Sequence, residues 1–382
     1  MDDPTTRVGA RPTWTLCIAT INRADILHLA IRHALTQTVP PEEIVVIDAS
    51  ADWEASRDAV RALTDAQGVR LVYEKAEKKS LTAQRNQGAS HATGEILFFF
   101  DDDTLMYPDC AERVLSVYAA DPDRALAALG AISHPMPPAP GAGTPQSPEP
   151  AGTERAKEEM ARRESVLTRN RDTISGATQK SRLLRFVKTE VLMMSMDRVL
   201  VPYDAHRARA PLGVPRAVAA FGLRAVGRLP GFGMTVRRAV WEAEPFDGAL
   251  LAYCPAEDLD ASYRWGRHGA VVIDRAARIH HYEVAASRLK RRQVTRLSVL
   301  NSAYLLARNS DARGRHVPAF YLLTLRKVVA ELIKDLGAGR YAIPQARGAA
   351  AAMARSVSIF RQPPDALPGW YTNLQQKMLT GG

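Results

Sequence analysis

Cysteine is nearly absent from this chain: Cys17, Cys110 and Cys254 are the three in 382 residues. Three scattered thiols support neither a disulfide framework nor a zinc ribbon, which suits a reducing compartment. No window offers about eighteen uninterrupted apolar residues, so a membrane span is not expected. The opening Met1-Asp2-Asp3-Pro4 is acidic where a secretory leader would be basic, so export is not expected either. A cytoplasmic protein, working at most at the inner face of the membrane, is the reading that remains. Basic residues are plentiful, 51 Lys and Arg against 41 Asp and Glu for a net charge of +10, and they are densest in residues 155–240 and 288–340. A polyanionic or anionic-lipid partner is conceivable on that ground. Nucleic acid is not the expected partner, because no aromatic-interleaved basic strand or recognition-helix motif accompanies the charge.

What is present begins as an alternation of apolar runs and helical periodicity. Trp14 to Ala19, Glu43 to Asp48, Val69 to Glu74 and Ile96 to Phe100 read as strands, with helices over Asp25 to Thr36 and Thr82 to Ser90. Such a βαβ series predicts a doubly wound parallel sheet. The run Ile96 to Phe100 discharges into three carboxylates, Asp101, Asp102 and Asp103, at the strand end where ligands gather in such sheets. Adjacent aspartates repel one another and lose solvation there, a cost that falls if a hard divalent cation lies between them and a phosphate. A metal-assisted phosphate site follows; the alternative is a solvated acidic loop capping the next helix. Asp48 closes the second strand, which sets it on the same rim as Asp101.

Ala19-Thr20-Ile21-Asn22-Arg23, Ile44-Val-Val-Ile-Asp48-Ala-Ser50, Ser80-Leu-Thr-Ala-Gln-Arg85-Asn86-Gln-Gly88, Gly94-Glu95 and Phe100-Asp-Asp-Asp-Thr104 stand in the order of a known set of donor-site motifs. In this the chain resembles the family 2 glycosyltransferases with the GT-A fold. Gly231-Phe-Gly-Met234-Thr-Val-Arg237-Arg238 and Pro255-Ala-Glu257-Asp258-Leu-Asp260 resemble the acceptor half of that family. The resemblance implies a mixed GT-A sheet and a nucleotide-diphosphate sugar donor, with UDP the default nucleotide. It implies that Thr20 and Asp48 hold the base, with Asn22 and Arg23 in the same donor-binding set, and that Arg85 lies against the diphosphate, where a guanidinium fork suits phosphate oxygens. Asp103 becomes the direct ligand of Mn²⁺ or Mg²⁺, with Asp101 or Asp102 touching ribose or metal-bound water. His280, after the strand Ala270 to Ile273 and a turn around Asp274, is the histidine expected to reach the metal; if the pair lies on a strand, His280 and His281 cannot both point one way.

By the same resemblance Asp258, with Glu257 beside it, is the base that takes a proton from an acceptor hydroxyl, with inversion at the sugar. Their position at the start of an amphipathic helix, Leu259 to His268, keeps a carboxylate ionised, although capping that helix is a sufficient role for all three acids. Gly233, Met234 and Asp260 are assigned to the sugar and acceptor pocket, with Phe232 an alternative lining residue. The catalytic domain is expected over residues 1–284, as a donor half of about 13–133, an insertion of about 134–228 and an acceptor half of about 229–284, followed by a helical region over 285–382. Within the insertion, His134 to Pro150 reads as an exposed loop, Thr153 to Arg171 and Leu183 to Val201 as helices, and Pro211 to Arg228 as a basic amphipathic stretch suited to a membrane surface or to packing on the catalytic domain. Gln293-Val-Thr-Arg296 ends in Leu297 where processive synthases of this superfamily have Trp, and no spans follow. A single-addition transferase with a glycan or lipid-linked acceptor is therefore expected. A nucleotidyltransferase is disfavoured because Ala19 to Arg23 has no glycine for a phosphate cradle. The rivals are an inactive GT-A-fold binding protein and a membrane-surface scaffold.

Overall fold

The computed structural model describes residues 11–138, 181–194, 212–282 and 291–380. Nine strands among them form one mixed sheet in the order β3-β2-β1-β4-β8-β6-β9-β5, with β7 paired to β9. The parallel part holds β1 (Trp14–Thr20), β2 (Glu43–Asp48), β3 (Arg70–Lys75) and β4 (Ile96–Phe100). Its helices are α1 (Ala24–Leu35), α2 (Trp53–Asp65) and α3 (Leu81–His91). Beyond β4 the direction reverses: β8 (Gly233–Arg237) lies antiparallel between β4 and β6 (Leu126–Ser133). Then follow β9 (Ala270–His281), parallel to β6, and β5 (Thr104–Met106), antiparallel to β9. The sheet is thus mixed rather than wholly parallel, as the family resemblance implied.

Strand period two sorts the core onto two faces. Leu16, Ile18, Ile44, Val46, Ile96, Phe98 and Phe100 meet Leu27 and Ile31 of α1 and, from α4 (Cys110–Ala119), Val114 and Leu115. Cys17, Val45, Ile47, Leu97 and Phe99 face the other way, with Met234, Val236 and, from α7 (Glu257–Trp265), Ala261 and Trp265. Both sets are fully or almost fully buried, so β4 has no solvent face, and its uncharged Ile-Leu-Phe-Phe-Phe run is what such a position requires.

Two expectations change. A turn around Asp274 is not seen; β9 runs through it as one strand of 12 residues. The β6 pairing instead slips between Gly130 and Ile132, absorbing the extra residues as an irregularity in the ladder. The stretch before Arg228 is not an amphipathic α-helix: a 3₁₀ turn over Arg216–Phe221 leads to β7 (Arg224–Ala225). Val218 is wholly buried, and Val214, Phe221 and Leu223 pack on the first core face, so this stretch covers the catalytic domain. Pro215 at its start and left-handed Gly222 at its end break any longer helix. The helix expected over Thr153 to Arg171 lies outside the described residues, as do 139–150 of the expected loop and 195–201 of the second expected helix.

Contacts divide the chain into two units. The first comprises residues 1–144, 205–288 and 368–382 and holds the sheet, α6 (Arg238–Ala243), α7 and almost all of the last helix, α11 (Leu367–Thr380). There Gln375 accepts from Leu251 N at 3.0 Å and donates to Ala249 O at 2.7 Å. The second comprises 145–204 and 289–367. Its described part holds α5 (Arg182–Phe186) with a π-turn after it, α8 (Arg291–Asn309), α9 (Arg313–Gly337) and α10 (Pro344–Phe360). Pro344 opens α10 at a position where its missing N–H costs nothing, and Asp335 caps the turn by accepting from Gln345 N and Ala346 N at 2.8 and 3.1 Å.

Candidate active site

The three aspartates after β4 do not act as a block. Asp101 and Asp103 turn one way and converge with His281, their oxygens and a ring nitrogen all lying within 4.8 Å of one another. His281 Nε2 is 3.1 Å from Asp103 and 3.9 Å from Asp101. Asp102 turns back, accepting from Thr20 Oγ1 at 2.7 Å and from Arg23 Nη1 at 2.9 Å. Burial pushes the Asp102 carboxyl up to about 7 against the pull of Arg23, and raises Asp101 against the pull of Arg85. Two carboxylates and an imidazole form a hard-oxygen and nitrogen donor set that fits Mn²⁺ or Mg²⁺.

The histidine at this cluster is His281, not His280. Register decides it: β5 pairs Thr104 with His281 and Leu105 with His280, so the two rings lie on opposite faces. The ring of His280 is buried, its Nδ1 3.0 Å from His134 O and its plane edge-on to Tyr282. His281 is backed by Phe232, stacked at 4.6 Å between ring centroids.

After β1, Asn22 takes a left-handed conformation, a choice open to Asn at low cost, and its N–H donates to Ser50 Oγ at 2.7 Å. Asp48 sits at the end of β2 as expected, but its carboxylate is buried and engaged by Ser50, through both N–H and hydroxyl, and by the Tyr73 hydroxyl at 2.6 Å. It ties the β2 loop to β3. Arg23 reaches Asp102 and, at 3.4 Å, Asp103.

Arg85 is the link between the two rims. Buried on α3, it donates to Asp101 at 2.9 Å, to Gly231 O at 2.7 Å and to Glu257 at 3.3 Å, with its guanidinium over the Phe246 ring. A Cβ at Gly231 would stand 2.8 Å from Glu257 Oε1, so a larger residue there would push that carboxylate aside from Arg85.

The acceptor-side acids open α7. Burial, with the neighbouring Asp258 charge, pushes Glu257 up to about 8 despite Arg85. Asp258 Oδ2 accepts two bonds from Arg228, at 2.6 and 3.0 Å, while its Oδ1 accepts from Leu259 N at 2.8 Å. Asp260 is paired with Arg264 at 2.7 Å inside the helix packing, where Arg264 also meets Glu244. This ties Asp260 into the packing of α7. Met234 is also placed elsewhere than expected: wholly buried opposite Phe99, it belongs to the core. Gly233 permits a close approach, since a Cβ there would lie 2.6 Å from Ile279 Cδ1, and so seats β8 rather than a sugar. The sequence also gave no sign of Arg228, which is fixed over α7 by the adjacent Leu229 N bond to Ser262 Oγ at 2.9 Å. Nor did it show that Ala252, Cys254 and Ala256, leading into α7, all have positive φ. None is a residue type that favours that region.

A mixed sheet whose central strand ends in such a cluster, faced by acids at a helix N-terminus, defines a glycosyltransferase fold of the GT-A class. Residues 15–162 match the family model described as Glycosyl transferase family 2. The chain is 29% identical over 109 residues to validoxylamine A glucosyltransferase of Streptomyces hygroscopicus subsp. limoneus, 28% of this chain and 24% of that one. The matched segment thus spans about a quarter of the curated relatives' length. Among solved structures, the mannosyltransferase PcManGT of Pyrobaculum calidifontis, in complex with GDP-Man and Mn²⁺, aligns over 99% of this chain and 88% of its own at 15% identity and a TM-score of 0.47. GalNAc-T7 with UDP, GalNAc and Mn²⁺ aligns over 84% and 51% at 13% identity and a TM-score of 0.48.

Proposed function

We propose that this chain transfers a single sugar from a nucleotide-diphosphate donor, UDP by default, to an acceptor hydroxyl with inversion, in the assembly of a cell-surface glycan or glycolipid. The observation that carries the reading is the convergence of Asp101, Asp103 and His281, joined through Arg85 to Glu257, the chain neighbour of Asp258. Asp101, Asp103 and His281 would hold Mn²⁺ or Mg²⁺, whose chemistry when bound is to neutralise charge on the departing diphosphate.

The chain's own residues supply the rest. Thr20 and Arg23 hold Asp102 turned away, which leaves its two neighbours aligned. Arg85 adds positive charge beside Asp101, where phosphate oxygens would lie. Asp258 takes the proton of the acceptor hydroxyl; that oxygen forms the new bond to the anomeric carbon as the bond from that carbon to the phosphate oxygen breaks. The electron pair leaves with the nucleoside diphosphate. Asp258 Oδ2 is held by Arg228, so that ion pair must open for this oxygen to take the proton.

Calorimetric titration with a panel of nucleoside diphosphates, with and without Mn²⁺, tests the donor site. One diphosphate should bind in a metal-dependent way and Asp103→Ala should abolish the heat. A folded protein that binds none of them defeats the proposal.

A further inference from the structure

Helix α9 carries two faces with different surroundings. One buries His316, Phe320, Thr324, Ala330, Glu331 and Asp335. The other presents Leu322, Leu325, Val329, Ile333 and Leu336, each between 42% and 64% exposed. Their spacing of three or four residues keeps them on one stripe, about 21 Å long at the helical rise. The same unit exposes a second apolar set, Leu183, Leu184, Phe186, Val191 and Met194, with Leu183 at 70%. Arg326 ties the two together, its Nη2 donating to Glu190 O at 2.9 Å. Scattered exposed leucines need no explanation, but two such sets on linked helical segments do.

The charge beside these apolar groups is one-sided. Arg182, Arg185, Arg315 and Arg326 are exposed. The acids of α9 are buried and engaged: Glu331 by Lys334 and Gln345, both at 2.6 Å, and Asp335 by Arg340 at 2.8 Å. Glu190 is held by Arg326. A second copy of the chain docking two-fold symmetrically through this surface would bring arginines against arginines. An anionic bilayer instead offers acyl chains to the leucines and headgroup phosphates to the guanidinium groups. No described helix is long and apolar enough to cross a membrane.

We propose that α9 and residues 182–194 form a membrane-docking surface, with the Leu322–Leu336 stripe seated in the headgroup boundary of an anionic bilayer. This surface is independent of the transfer chemistry, and neither proposal needs the other.

The test is co-sedimentation of the full chain with phosphatidylglycerol/phosphatidylcholine vesicles and with phosphatidylcholine alone, alongside light scattering without lipid. Binding should favour the anionic vesicles, weaken as salt rises, and fall at least about tenfold in Leu325→Glu/Val329→Glu. Hydrogen exchange on the unaltered chain gives a readout that does not depend on that variant's folding: vesicles should protect 322–336 and 183–194. A chain that stays in the supernatant with every vesicle overturns the proposal, as does exchange unchanged by lipid or a variant that binds as well. A lipid-free dimer dissolved by the same substitutions assigns the surface to a second copy instead.

Discussion

The two acidic runs of this molecule contain the same kind of residue and do opposite things with it. Asp101, Asp102 and Asp103 lie on the tight turn between β4 and β5, closed by Thr104 N donating to Asp101 O at 3.0 Å, and two of the three converge on His281. Glu257, Asp258 and Asp260 lie on a helix, where successive residues turn by about a hundred degrees and fan apart. Each acquires its own arginine: Arg85, Arg228 and Arg264. Carboxylates gathered by a turn converge on one histidine, whereas carboxylates dispersed by a helix form separate ion pairs.

The sharpest way to separate the two runs is to neutralise each base in turn. Asp258→Asn should lower the rate of transfer about 10²–10⁴-fold while metal-dependent nucleotide binding stays within about twofold of the unaltered chain. Initial rates and calorimetry on one preparation decide it; a parallel loss of binding would merge the runs into one site. Asp260→Asn should cost stability rather than chemistry, about 1–3 kcal/mol in urea unfolding, because buried Arg264 loses its nearest carboxylate and keeps only Glu244. His281→Ala should weaken Mn²⁺ binding about a hundredfold and His280→Ala hardly at all, read by metal titration of the two variants. Equal effects would break the assignment.

The smallest effect concerns Glu257. Its carboxyl titrates near 4.5 when unfolded and about 8 when folded, so the folded state holds the extra proton in between. Its contribution to stability is therefore greatest below 4.5 and declines as pH rises toward 8. Glu257→Gln should raise Tm by roughly 2–4 °C at pH 8.5 and converge with the unaltered chain at pH 4. A Tm difference that does not depend on pH would show that Glu257 stays ionised.

Much of this was legible before the structure. β2 and β4 fall on the expected residues because continuous apolar runs ending in acids specify buried strands with little help from elsewhere. Helix α2 escaped because its buried face is Ser56, Val60 and Thr64, a stripe with one apolar residue in it. His281 and Met234 were misplaced for a shared reason. Which way a strand residue points depends on the partner strand's register, here Thr104 opposite His281 and Phe99 opposite Met234, and that pairing is made by segments over a hundred residues away. Arg228 and the left-handed loop before α7 likewise exist only through contacts that local sequence does not encode.

The return of α11 to the loop at Ala249 and Leu251 has a consequence for synthesis. Residues 252–256, which set the start of α7, follow directly on Ala249 and Leu251, and these are held by Gln375. The ribosome delivers the whole second unit before that anchor emerges, so the loop leading to Asp258 is the last part of the catalytic unit to be secured. A premature stop anywhere in 291–367 would release a chain with Asp101, Asp103 and His281 encoded and the loop before Asp258 without its Gln375 anchor.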